Sequence, residues 1–152
     1  MNLPKQAIDF FRNQGCVIVS TLDKNGYPHS ACKGIVKIEP EGRVYLLDIY
    51  KAVTHANLIR NASFSITAVD EHKFSGYCLK GKARIIKAEE LSPDIIKAWE
   101  DRVTSRITQR MVKNIFDKKG HPKHPEALFP KPKYMIVMDV EEAVDLTPPH
   151  LK

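Results

Sequence analysis

Short apolar runs separated by turn residues dominate the hydrophobic pattern of this chain. The first segment, residues 4–14, has apolar residues at helical spacing, and Gly15 follows it as a stop. Beyond it come β-branched runs bounded by turns, of which Asn25-Gly26 is the clearest because both residues tolerate the positive φ of hairpins. The pattern predicts six strands, at residues 16–21, 28–39, 43–49, 64–70, 77–87 and 134–140.

Two further helices interrupt these strands. Residues 53–60 fit a short helix, and a longer one begins after Ser92, a suitable N-cap, with Pro93 at the first helical position. Gly120 ends the longer helix, and a Pro-rich loop follows it. The apolar residues of this helix are spaced by four and form one stripe, which predicts a core or dimer contact. They are Ile95, Trp99, Val103, Ile107, Met111 and Ile115.

These elements predict a mainly β fold, a six-stranded antiparallel β-barrel with flanking helices. Closure is expected because it removes exposed strand edges. We expect residues 1–152 to form one domain, with the barrel strands within 16–87 and 134–146 and a helical and Pro-rich excursion at 92–133.

Composition agrees with one globular domain, since 43% of the 152 residues are hydrophobic and 28% are charged. No apolar run approaches the roughly 18 residues of a membrane helix, and the N-terminus lacks a secretory segment, so a cytoplasmic protein without membrane contact is expected. Three cysteines without a Cys-x-x-Cys pair indicate neither a disulfide framework nor a zinc site. We expect these cysteines to be small strand residues, buried or half-buried.

The net charge of +6 raises the possibility of an anionic partner. Residues 102–133 carry nine Lys or Arg against two acidic residues. Aromatic residues are not interleaved with these charges, so the sequence favours a solvated helix face and loop over a nucleic-acid site.

No motif for a protein nucleophile or a phosphate-binding loop is present. His121 and His124 lie three apart in the Pro-rich loop without a carboxylate or cysteine at suitable spacing, so no metal site is predicted. What remains is an arrangement of phosphate-binding groups. If neighbouring strands bring together the segments that hold them, ammonium groups, hydroxyls and a helix N-terminus converge. These residues are Ser30, Lys33, Lys51 and Thr54.

Four segments stand out by their order and spacing. They are Val17-Ile18-Val19-Ser20-Thr21, Asn25-Gly26-Tyr27-Pro28-His29, Thr54-x-x-Asn57-Leu58-x-x-Asn61 and Gly76-Tyr77-Cys78-Leu79-Lys80-Gly81-Lys82-Ala83. Together they resemble the flavin-binding split-barrel family, which includes the pyridoxamine 5′-phosphate oxidases and small bacterial FMN-binding proteins. The resemblance covers roughly residues 10–87 and the last strand.

The resemblance implies an FMN-binding split barrel that is a homodimer with FMN at the interface. Carried over by position, the second-strand contacts are Ser30, Ala31, Cys32 and Lys33. Asp48 and Lys51 would lie beside the phosphate, with Thr54 and Asn57 at the helix start and backbone near Ser75 and Gly76 approaching the isoalloxazine ring.

Two positions depart from the family pattern. Val53 precedes Thr54 where Lys or Arg is frequent, and Asp48 stands where a neutral hydroxyl is more usual. The Arg and His pattern that pyridoxamine 5′-phosphate oxidases use for substrate is not recognisable in residues 146–152, so that specific activity is not expected.

The function implied is an FMN-dependent oxidoreductase or electron carrier of unknown substrate and electron donor. The alternative is a non-redox module that binds a flavin, a deazaflavin or haem on the same barrel. No catalytic residue is identified; Tyr50, Tyr77 and His55 are candidates by proximity alone.

Overall fold

The computed structural model describes residues 1–48, 51–116 and 132–152, and for residues 106–116 it describes the backbone only. Its strands are β1 Val17–Leu22, β2 Pro28–Glu39, β3 Arg43–Leu47, β4 Ser63–Asp70, β5 Ser75–Lys87 and β6 Tyr134–Asp145. Its helices are α1 Lys5–Arg12, α2 Val53–Arg60 and α3 Pro93–Phe116. All strands pair antiparallel in the closed order β1-β2-β3-β6-β5-β4, so the predicted barrel with flanking helices is confirmed.

The barrel interior follows from the alternation along each strand. Successive strand residues point to opposite faces, and the inward set is almost wholly apolar. Helices α1 and α2 add Phe11 and Leu58 to this core. Its strand residues that are completely excluded from solvent are Val19, Val44, Leu46, Ile66, Leu79, Ile136 and Met138.

Helix α3 covers one part of the barrel's outer surface. Ile95 and Trp99 are buried against outward-facing residues of β3 and β6, among them Tyr45 and Met135. The predicted core stripe is therefore confirmed for Ile95 and Trp99, and Val103 packs beside them. The side chains of the remaining stripe residues, Ile107, Met111 and Ile115, lie outside the described ones.

The β1–β2 hairpin turns where Asn25-Gly26 predicts. Gly26 has a φ of 83°, in the left-handed region that favours glycine. The Asp23 carboxylate accepts hydrogen bonds from the backbone N–H groups of Asn25 and Tyr27, at 2.8 and 2.9 Å. The turn places the start of β2 directly beside β1, which positions part of the candidate site.

Strands β5 and β6 meet at a bulge that requires a glycine. The register shifts between Lys80 and Gly81. A Cβ on Gly81 would lie 2.1 Å from the carbonyl oxygen of Asp139, a backbone atom that cannot move without disturbing β6.

Two of the three cysteines, Cys16 and Cys32, differ from the expectation that they are buried or half-buried, and Cys78 agrees with it. Cys16 precedes β1 and is exposed, and Cys32 is exposed on the outer side of β2, where α3 does not reach; Cys78 is half-buried. All three are free thiols. In the described part of the chain, no helix has the length and apolar character needed to cross a bilayer. His121 and His124 lie outside the described residues.

Candidate functional site

A buried polar network occupies one end of the barrel. Lys33 Nζ donates a hydrogen bond to Asp48 Oδ1 at 2.5 Å, and Tyr134 Oη donates to Asp48 Oδ2 at 2.5 Å. The Asp48 side chain is 0% exposed and the Lys33 side chain 14%. Both carboxylate oxygens therefore have a partner, as a buried charge requires.

Strand alternation brings these three residues together. Lys33 shares the inward side of β2 with Ile35, and Asp48 continues the inward side of β3 directly after its last residue. Tyr134 begins β6 on the inward side that Ile136 continues. Burial, and then the hydrogen bond to Asp48, raises the pKa of Tyr134 well above its usual value, so the phenol stays protonated and acts as a donor.

The first turn of α2 adjoins this network. The His55 ring packs edge-on against the Tyr134 ring, with 4.9 Å between centroids. Thr54, in the same turn, is buried at 3% exposure. The helix begins without a side-chain cap and without an acidic residue in its first turn. Its N-terminal N–H groups thus remain available to an anion.

Asn57 has an internal role. Its Nδ2 donates to the Thr21 hydroxyl at 2.9 Å, and its Oδ1 accepts from Arg60 at 2.8 Å. Arg60 also donates to the carbonyl oxygen of Leu22. These bonds fasten α2 to the end of β1, so Asn57 fixes the helix that carries Thr54.

The second-strand residues divide between the two faces of the sheet. Ala31 and Lys33 pair with Val19 and Val17 and face inward, whereas Ser30 and Cys32 face outward. Ser30 forms a hydroxyl–hydroxyl hydrogen bond with Ser20 at 3.0 Å. The structure therefore brings Lys33 and Asp48 together but places Ser30 and Cys32 on the other side of β2.

The outward side of β1, β4, β5 and the first part of β2 forms a surface that α3 does not cover, which we call the bare face. A groove of about 500 Å³ runs along it. Its outward polar lining includes Ser20, Ser63, Ser65, Cys78, Lys80 and Glu142. Ile18 and Leu22, on the same side of β1, are 40% and 39% exposed.

The remaining predicted residues are more dispersed. Ser75 and Gly76 begin β5 and are separated from β2 by β1 and β4 in the barrel order. Gly76 is buried, and a Cβ there would lie 2.7 Å from the carbonyl oxygen of Ala68, so close strand packing alone requires this glycine. Lys51 is exposed before α2.

Among the residues considered for catalysis, Tyr77 packs against Phe10 with ring centroids 5.4 Å apart. His55 contacts Tyr134, and Tyr50 lies outside the described residues.

Sequence reasoning missed Tyr134, the second donor to Asp48. Its alternation with Ile136 and Met138 gives it an inward position, but only the β3–β6 pairing shows that it meets Asp48. The same holds for Ser65 and Lys80, since their place in the groove depends on the β1–β4 and β4–β5 registers.

Comparison with known proteins agrees with this architecture. The family model described as Pyridoxamine 5'-phosphate oxidase matches residues 3–129. This match spans most of the chain, and the protein belongs to the pyridoxamine 5′-phosphate oxidase family.

Three solved structures share its fold. A candidate pyridoxamine 5′-phosphate oxidase from Lactobacillus delbrueckii has 15% identity and a TM-score of 0.65, covering 94% of this chain and 93% of that one. HupZ from Group A Streptococcus has 18% identity and a TM-score of 0.64, covering 95% and 94%. General Stress Protein 26 from Bacillus anthracis has 15% identity and a TM-score of 0.60, covering 95% and 94%. No curated protein matches the chain.

Proposed function

We propose that this protein is a homodimer that binds FMN between its two copies and acts as a flavin-dependent oxidoreductase or electron carrier. The observation that carries the proposal is the bare face with its groove of about 500 Å³. The uncapped start of α2 supplies a second feature, a place for an anionic group. Family membership supports a flavin as the ligand.

The exposed apolar residues of the bare face support association with a second copy of the chain. Ile18, Leu22 and Val69 are 40%, 39% and 63% exposed on a sheet surface that α3 leaves open. Clustered apolar exposure of this kind favours burial against a partner. A second copy would also deepen the groove into a closed pocket, as flavin binding requires.

The start of α2 is the place where we expect the phosphate of FMN to bind. Free N–H groups at a helix start attract anions, and Thr54 adds a buried hydroxyl in the same turn. Lys51, two residues before the helix, is exposed and supplies a positive charge on a flexible side chain. Asn57 holds this helix end in place through Thr21.

When bound, the flavin would supply hydride or single-electron transfer. The chain would orient it, exclude water from one side and hold the phosphate. Within the described groove the titratable side chains are Cys78, Lys80, Glu141 and Glu142, and Lys80 is paired with Glu142 at 3.0 Å. The alternative function is a binding module without turnover. Reduction of the bound flavin by NAD(P)H would distinguish the two.

The test is an FMN titration followed by absorbance and fluorescence, together with light scattering. We expect a dimer with about one FMN per chain and a Kd of about 1 µM or tighter. Ile18→Glu should yield a monomer whose FMN affinity falls at least about tenfold, because a buried carboxylate opposes association. Ile59→Glu is the matched control, since Ile59 is 66% exposed on α2 and lies outside the groove. A monomeric native chain, or no binding at about 100 µM FMN, would refute the proposal.

A further inference from the structure

The charge of Lys33 is already neutralised inside the protein. Its ammonium group lies 2.5 Å from Asp48 Oδ1, and the Asp48 side chain is fully excluded from solvent. The Tyr134 hydroxyl donates a hydrogen bond to the second carboxylate oxygen of Asp48. The barrel end therefore offers an ion pair to a ligand, not a free cation.

Lys33 cannot transfer to a ligand anion without a large cost. Among the described residues, its departure would leave the buried Asp48 carboxylate with Tyr134 as the one remaining partner. An uncompensated buried charge is strongly destabilising. If Lys33 instead bridged both anions, a phosphate hydrogen-bonded to the same Nζ would lie within about 5.5 Å of the carboxylate. Two like charges at that distance repel each other in a protein interior.

We propose that Asp48 sets the charge preference of the ligand site, so that the protein gains little affinity from a phosphate and binds unphosphorylated riboflavin nearly as well as FMN. The inference rests on the proposed flavin function and specifies its ligand class. Recognition then depends on the ring and ribityl chain against the bare face. The α2 start and Lys51 contribute the small remaining preference for phosphate.

The experiment measures the ratio of the riboflavin Kd to the FMN Kd by fluorescence titration at fixed ionic strength. For the native chain we expect a ratio below about ten. Asp48→Asn keeps the shape of the side chain, removes its charge and leaves Lys33 cationic. We expect this variant to raise the ratio about ten- to hundredfold, chiefly through tighter FMN binding.

Asp139→Asn is the matched control. Like Asp48, Asp139 is paired with a cation and accepts two hydrogen bonds, here both from Arg84 at 2.5 and 2.9 Å. It lies farther along β6 and does not line the groove. The ratio of the riboflavin Kd to the FMN Kd in Asp139→Asn should equal that of the native chain. Circular dichroism and thermal unfolding establish that each variant is folded.

Several outcomes separate the two proposals. A native ratio above about one hundred would overturn the role of Asp48 even if Asp48→Asn failed to fold. An unchanged ratio in folded Asp48→Asn would also overturn it, while flavin binding itself stood. Failure of both flavins to bind the native chain would refute the proposed function, and this inference with it.

Discussion

Replacing Asn57 distinguishes a structural role from direct cofactor binding. The amide is 3% exposed, donates to Thr21 and accepts from Arg60. In Asn57→Ala both bonds are lost, and the Thr21 hydroxyl, itself 3% exposed, is left without its partner. A lost hydrogen bond costs about 1 kcal/mol, and a buried group left unsatisfied adds about 1–2 kcal/mol. We therefore expect Asn57→Ala to lower the free energy of unfolding by about 2–3 kcal/mol.

The assay is urea unfolding at neutral pH, and the control is a double-mutant cycle with Thr21→Val. Thr21→Val removes the acceptor, so the double variant should be less destabilised than the sum of the single variants by about 1 kcal/mol. Without urea, where the variant is fully folded, the FMN affinity of Asn57→Ala should fall by less than about threefold, because the substitution only loosens the attachment of α2 to β1.

Two results would refute this reasoning. A loss below about 0.5 kcal/mol would mean that the Asn57–Thr21 bond does not fasten the helix. Unchanged stability with FMN affinity reduced a hundredfold would mean that the amide contacts the ligand directly, as the sequence resemblance implies.

Other expected outcomes concern the barrel, α3 and pH. Gly81→Ala should destabilise the protein by about 3 kcal/mol or more in thermal unfolding, because its Cβ would overlap the Asp139 carbonyl oxygen; native stability would contradict the β5–β6 register. Trp99→Ala should cost about 3–5 kcal/mol by urea unfolding, since Trp99 is 8% exposed between α3 and the barrel, and a near-neutral effect would show that α3 does not pack there. The hydrogen bond from Lys37, and then the one from Ser92, lowers the pKa of Asp94 from 3.8 to about 2. Ionised Asp94 therefore stabilises the fold above about pH 4, and this contribution is lost as the pH falls towards 2. Asp94→Asn should flatten the dependence of the urea midpoint on pH in that window, and an unchanged slope would exclude the Lys37–Asp94 pair.

Much of the fold follows from local patterns along the chain. Alternation, β-branched runs and the Asn25-Gly26 turn predict each strand to within a few residues, because side-chain direction and turn conformation are set by near neighbours. The α3 stripe likewise predicts burial, and Ile95 and Trp99 confirm it. The positions of Lys33, Lys51 and Thr54 in the sequence also suggest a phosphate site at the start of α2. They do not show that Asp48 already neutralises the charge of Lys33.

Tertiary structure alone decides which predicted site residues face each other. Lys33, Asp48 and Tyr134 are distant in sequence, but their side chains all point into the barrel from neighbouring strands and form one buried network. The β1–β2 register turns Ser30 and Cys32 towards the bare face. Because α2 lies close to β1, the Asn57 amide donates its hydrogen bond to Thr21. The amino-acid sequence by itself determines which residues alternate and where the chain turns, because those depend on local sterics. Strand pairing between distant segments determines which charges meet, and whether Lys33 can attract a ligand anion depends on that meeting.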